Sequence, residues 1–233
     1  MQQELNKLQI LSQTQGMVNN KEKTKIMIFN PARDYDFQPI IHTQDGLTLE
    51  VIEETRLLGI VVRSDMSWKS NTTQLCQKGY HRLWMLRNLK RLGANRADLV
   101  DVYYKQCRSV LELAAPAWTP GLTKLEIKQL ERVQKSACAI ILGQAFNSYK
   151  AALHILNMET LEFRREKLSL TFAKKALKSE KFKNWFEIDE TIEPNIKTRN
   201  YKPKPKLKQV QCRKSKYKKS PLPYLTELLN NQK

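Results

Sequence analysis

The sequence predicts an α+β fold that is mostly α. It places a small antiparallel β meander or hairpin on the N-terminal side, then a bundle of about five helices, then a disordered basic tail. Three observations predict it. Apolar residues recur at helical spacing between about residues 71 and 179. Short alternating apolar runs are confined to residues 24–62. From Pro194 onward lysine and proline alternate with few apolar residues between them. The chain divides accordingly into 1–66, 67–180 and 181–233.

Residues 3–16 read as a helix end, with Leu5, Leu8 and Leu11 three apart and Gly16 as its stop. KTKIMIF (23–29) alternates Ile26 and Ile28 with Met27 and Phe29, as a strand does, and Asn30-Pro31 breaks it. Phe37 to Thr43 reads as a second strand, followed by a turn at Gln44-Asp45-Gly46 and alternating Leu47, Leu49 and Val51. RLLGIVV (56–62) is a further apolar run, β-branched at its end. After Trp68 the period becomes helical: Leu75, Gly79, Leu83, Leu86 and Leu89 mark one face of a helix over about 71–91, closed by Gly93. Asn95 caps a helix over about 96–113 that carries Leu99, Val102, Tyr103, Cys107 and Val110. Pro116, Pro120 and Gly121 form a break. Thr123-x-x-Glu126 is a capping box opening a helix to Leu142, with Leu130, Val133, Ala137 and Ile140 inward and Gly143 as C-cap. Helices over about 148–156 and 159–179 follow. SPLPYLTELLN (220–230) is an apolar island in the tail that suits a short docking helix.

Charge is the strongest clue to partners. Forty-one Lys and Arg against 23 Asp and Glu leave +18, an excess that favours a polyanion, most often nucleic acid. It is uneven: residues 194–233 hold 12 basic residues and one acid, Glu227. No run approaches the roughly 20 apolar residues of a membrane helix, and the first ten residues have neither the basic nor the apolar region of a secretory signal. Cys76, Cys107, Cys138 and Cys212 stand far apart, which fits reduced thiols and a nuclear or cytoplasmic setting. Cys76 and His81 have no second pair at ligand spacing, so zinc is not expected. Ser136, Cys138 and the three His form no nucleophile–base set. Trp84, Trp118, Tyr103 and Tyr149 read as core aromatics.

Two basic stretches are candidate nucleic-acid contacts. Lys78, Arg82, Arg87, Lys90 and Arg91 load the 71–91 helix, and no acid falls between Asp65 and Asp98 to balance them. In the tail, Lys202, Lys204, Lys206, Lys208, Arg213, Lys214, Lys216, Lys218 and Lys219 are interleaved with Tyr201 and Tyr217, which suits holding RNA by charge and stacking. The same tail suits a nuclear-import signal, and the bland reading of either run is a solvated surface.

Five stretches in order, and a sixth at 220–230, resemble the C-terminal part of non-LTR (LINE-type, Jockey-like) retrotransposon reverse transcriptases. MVNNKEKTKIMIF (17–29) resembles the N-x-x-K-T segment that precedes a strand, matched by Asn20, Lys23 and Thr24. RLLGIVVRSDMSW (56–68) resembles the primer-grip hairpin, with Arg56 where Lys is common. The 71–91 helix, with LRNLKRL, resembles the first thumb helix. LEIKQLERVQKSACAIILG (125–143) resembles the L-x-x-x-Q-x-x-A … I-x-G helix. YKAALHILNMETLEFRREKLSLTFAKKAL (149–177) resembles the Y-x-x-A-L-x-x-L-x-x-x-x-L-x-x-R-R segment, and SPLPYLTELLN resembles the tails of the same elements.

The resemblance implies a palm remnant, a thumb and a basic tail that bind RNA or an RNA–DNA hybrid. It implies a phosphate-side role for Lys23 and places Leu58 and Gly59 at the hairpin tip beside the primer strand. The intact family enzyme uses Mg²⁺ held by carboxylates, whereas this sequence has no Asp-Asp dipeptide and only Asp34-x-Asp36 as a close pair. The chain by itself is therefore expected to need no cofactor and to lack polymerase activity. Two other readings stay open. One is a truncated reading of an active RNA-directed DNA polymerase gene, its missing N-terminal part being a further partner. The other is a helical scaffold for an acidic protein.

Overall fold

The computed structural model describes residues 2–18, 20, 23–29, 40–42, 46, 48–189, 206–212 and 215–231. They form two compact units, Met1–Ser70 and Asn71–Lys233. The architecture is α+β and mostly helical, with a two-stranded antiparallel hairpin on the N-terminal side.

The first unit opens with α1 (Gln2–Thr14), which ends before Gly16 in the left-handed region. Ile26, Ile41 and Leu49 form its small core, with Leu5 of α1 and Ile28 packed against them. The expected meander over 24–62 is reduced to a hairpin and single bridges. β1 (Glu54–Leu57) and β2 (Ile60–Arg63) pair antiparallel, Glu54 opposite Arg63 and Leu57 opposite Ile60. Ile26 meets Val51 in a parallel bridge, and His42 meets Thr48 in an antiparallel one. RLLGIVV is thus two strands rather than one. Leu58 (φ 47°) and Gly59 (φ 92°) both take positive φ, the requirement of a two-residue turn whose twist matches the strands it joins. Leu58 and Gly59 stand at the hairpin tip, where the resemblance places them. Of the expected strand at 37–43 only 40–42 is described, and Asp34 and Asp36 lie outside the described residues.

The second unit is a bundle. α2 (Lys69–Arg91) buries Leu75, Gly79, Leu83 and Leu86. Asn95 accepts a hydrogen bond from the Asp98 amide at 2.9 Å and so caps α3 (Arg96–Val102). The expected single helix to 113 is interrupted: Tyr103–Arg108 is a π turn, followed by α4 (Ser109–Leu111). Tyr103 and Cys107 of this turn are buried. The expected break at 116–121 contains a short helix, α5 (Ala115–Trp118), entered from Ala114 at positive φ. Its Trp118 is buried, with the indole N–H donating to the Leu113 carbonyl at 2.8 Å.

The Thr123–Glu126 capping box opens α6 (Lys124–Leu142), and Gly143 at φ 58° closes it. Leu130, Val133 and Ala137 face inward as expected. Near the end, Cys138, Ile141 and Leu142 are buried while Ile140 is only half-buried. α7 (Tyr149–Ile155) and α8 (Leu161–Lys178) are capped by Ser148 and Thr160. The tail before residue 220 was expected to be disordered, yet residues 206–212 include packed structure, while the apolar island at 220–230 forms the short docking helix its sequence suits. Leu207 is buried, bridges to Ile188 and exchanges two 2.8 Å hydrogen bonds with the Asn230 side chain. After α9 (Ser215–Lys218), α10 (Pro221–Asn230) packs on α8 and α5 through Leu225. The apolar island draws this part of the tail onto the bundle. No described helix is long and apolar enough to cross a membrane.

α2 and α6 approach closely at Gly79. A Cβ there would lie 2.9 Å from Val133 Cγ1 and 3.1 Å from Leu111 Cδ2, both on buried residues. Gly79→Ala gains about 1 kcal/mol of helix propensity and loses about 1–3 kcal/mol to overpacking. The variant is expected to unfold at lower urea concentration than the parent; an unchanged or higher midpoint would show that the two helices can part without cost.

Candidate nucleic-acid interface

Within the helical unit the five basic residues of α2 do not share a face. Lys90 reaches the C-terminus of α6, where its ammonium donates to the Ile140 and Ile141 carbonyls, the latter at 3.0 Å. Those carbonyls have no intrahelical partner and carry the negative end of the helix dipole, so a cation there is held by two favourable terms. Arg82 donates to the Gln106 carbonyl of the π turn. Lys78 bonds Gln74 at 2.8 Å. The five thus form no single row, and Arg82 and Lys90 bond backbone carbonyls. Arg87 and Arg91 are exposed and have no ion pair or hydrogen bond among the described residues.

Those two arginines share their face with aromatics. Tyr80, Trp84, Arg87 and Arg91 follow the i, i+4, i+7, i+11 spacing that keeps side chains in line on a helix. Trp84 is 65% exposed and Tyr80 42% exposed. Trp84 was expected in the core; it lies instead on the side opposite Leu75, Leu83 and Leu86, where no described element covers it. Trp118 and Tyr103 are buried, and Tyr149 is half-buried within a hydrogen-bond network.

Beside Tyr80, a shallow groove of about 240 Å³ runs between α2 and α6, lined by Thr73, Cys76, Gln77, Gln129 and Arg132. Arg132, absent from the candidates read from sequence, brings a third exposed guanidinium to this surface. The signal that could have found it is the exposed i, i+3 and i, i+4 row Lys128, Arg132 and Lys135 on α6. The acids of α6 face other tasks: Glu126 closes the capping box, and Glu131 accepts from the Tyr149 hydroxyl and the Glu162 amide. The surface is therefore positive without internal neutralisation.

Burial pushes the Cys76, Cys107 and Cys138 thiols up to about 11, which keeps them as weak nucleophiles. Burial, together with the Glu131 carboxylate, holds the Tyr149 phenol protonated. Among the described residues no three His, Cys, Asp or Glu side chains converge as a metal site.

In the first unit the N-x-x-K-T residues close on themselves. The Asn20 side chain accepts from the Lys23 amide at 3.0 Å, and its carbonyl accepts from the Thr24 hydroxyl at 2.8 Å, leaving Lys23 exposed. Leu58 forms the hairpin tip with Gly59 and is 92% exposed. A leucine held at positive φ is strained, and here no burial compensates. Of the tail residues, Lys202, Lys204, Arg213 and Lys214 lie outside the described residues, and the side chain of Lys216 is not described. Lys206, Lys218 and Lys219 are exposed, as is Lys208, which pairs with Glu187 at 3.3 Å.

Comparison with protein-family models, with curated proteins and with solved structures finds no match.

Lys90 and Arg87 should separate folding from binding. Lys90→Met is expected to destabilise the fold by about 1.5–3 kcal/mol, the worth of hydrogen bonds to a charged group, with RNA affinity unchanged while folded. Arg87→Gln should leave the urea midpoint within about 0.5 kcal/mol and weaken RNA binding at low salt. The reverse pattern would place Lys90, not Arg87, at the interface.

Proposed function

We propose that this chain is a nucleic-acid-binding C-terminal fragment of a non-LTR retrotransposon reverse transcriptase, without polymerase activity of its own. The observation that carries the binding is the uncompensated positive and aromatic outer face of α2, extended across the groove by Arg132. Lys and Arg side chains that neutralise phosphates supply affinity without sequence preference, and a net charge of +18 favours that partner over any neutral one.

The family reading rests on the order of the sequence motifs, and the positions of their residues are compatible with it. In L-x-x-x-Q-x-x-A the residues are Leu130, Gln134 and Ala137, all buried on one side of α6. In the following motif Ala152, Leu156, Leu161 and Arg165 are buried, and Arg164 makes a two-pronged pair with Glu112 at 3.0 and 3.1 Å. These motifs thus read as the packing code of a helical bundle, while the exposed Lys23 and Leu58 are the motif residues free to meet a strand. The absence of an Asp-Asp dipeptide from the sequence supports a role in holding nucleic acid rather than in copying it. RNA or an RNA–DNA hybrid is the partner this reading assigns.

The test is a salt titration of binding to a single-stranded RNA. With about five cations engaged, log K should fall against log salt with a slope of roughly −3.5, and the Arg87→Gln/Arg91→Gln double variant should reduce that slope by about 1.4. A flat response, or no binding at low salt, contradicts the proposal.

A further inference from the structure

We infer that the outer face of α2 binds an unpaired nucleic-acid strand by stacking bases on Tyr80 and Trp84 while Arg87 and Arg91 hold the adjoining phosphates. This deepens the proposed function and rests on it. Four observations carry it. Trp84 is 65% exposed on an ordered helix of 23 residues, where an indole normally finds cover. Tyr80 stands one turn before it on the same face, about 6 Å along the axis. Arg87 and Arg91 continue that line, exposed and without a partner among the described residues. No acid is present on α2 to turn a phosphate away.

The chemistry selects an unpaired strand over a duplex. In a duplex the faces of the bases are covered by their stacked neighbours, so side-chain rings on the flank of a helix find only sugar and phosphate. In a single strand each base can rotate out and offer its face to a ring. From Tyr80 to Arg91 the stripe spans about 16 Å, room for a few nucleotides, with aromatic contacts at one end and guanidinium contacts at the other. Every base has a π face, and stacking and phosphate contacts do not depend on the sugar, so RNA and DNA strands should be held alike.

The experiment measures affinities of the full chain for an oligouridylate, the matching oligothymidylate and an RNA hairpin duplex of equal phosphate count, in the parent, Trp84→Ala and Trp84→Phe. The parent should bind both single strands more tightly than the duplex. Trp84→Ala should lose between about fivefold and a hundredfold in single-strand affinity and so reduce the single-strand to duplex ratio, with its salt slope unchanged because the arginines remain. Trp84→Phe should recover most of the affinity yet lose the tryptophan quenching that accompanies binding of the parent. Equal losses for strand and duplex, or an unaltered single-strand affinity in Trp84→Ala, would overturn the stacking assignment and leave the stripe to another partner such as an acidic protein. Absence of binding to all three ligands by the parent at low salt would instead remove the nucleic-acid reading itself. Since Trp84 is mostly exposed, its replacement removes little packing, and a matching circular dichroism spectrum verifies that each variant is folded.

Discussion

Gln134 lies inside the helical unit with every polar atom of its side chain engaged. Its oxygen accepts from the Tyr103 hydroxyl at 2.6 Å, and its amide nitrogen donates to the Tyr149 hydroxyl at 2.9 Å and the Glu159 carbonyl at 2.8 Å. Tyr149 in turn donates to Glu131, whose other oxygen accepts from the Glu162 amide at 2.8 Å and so caps the start of α8. One amide thereby ties α6 to the π turn, to α7 and to the loop entering α8. A buried polar group left unpaired costs about 1–3 kcal/mol. The network is satisfied when all four segments stand where they do, which disfavours any arrangement that leaves a member unpaired.

That arrangement determines what is left at the surface. With α6 fixed, Val133 and Leu111 press against Gly79, and the glycine lets α2 come in close. Lys90 then reaches the end of α6, where Gly143 leaves it room: a Cβ at that position would lie 2.7 Å from the Lys90 ammonium, and its φ of +58° is a glycine conformation in any case. The inner side of α2 is thus consumed by packing and by carbonyl capping. What remains outward is the line of Tyr80, Trp84, Arg87 and Arg91. The same bundle holds one polar group less comfortably. Arg165 is 1% exposed, two of its guanidinium nitrogens lack hydrogen bonds, and its ring-face contact with Trp118 is at 5.9 Å. Burial alone disfavours its charge, and Glu131, Glu162 and Glu112 offset this only from a distance.

The helices were legible because their signals are local. The Thr123–Glu126 box, the Asn95 cap, Gly93 and Gly143 each determine an end through groups within a few residues. Apolar spacing located the buried sides of α2 and α6 for the same reason. What could not be read depends on contacts distant in sequence. Nothing within α2 distinguishes Lys90, held by carbonyls 50 residues away, from Arg87, which is free. Trp84 looks like core by composition, yet no described element covers it. The π turn at Tyr103–Arg108 has no sequence code of its own, and the hydrogen bond of Tyr103 to Gln134 joins groups 31 residues apart. In the first unit, local turn chemistry gives no sign of the Leu58-Gly59 reversal, since hairpin turns are usually marked by Asn, Asp or paired glycines; only the resemblance of residues 56–68 to a hairpin placed these two residues at its tip.

Sequence and structure together describe a helical bundle whose interior is filled by residues of its motifs and whose proposed function rests on the outer face of α2. The most direct measurement is photocrosslinking of a 4-thiouridine-containing oligonucleotide to the full chain, with adducts located by peptide mass spectrometry. Adducts on the α2 segment that carries Tyr80 and Trp84 are the predicted result. Adducts confined to the C-terminal tail, or none at low salt, would contradict the assignment of that face.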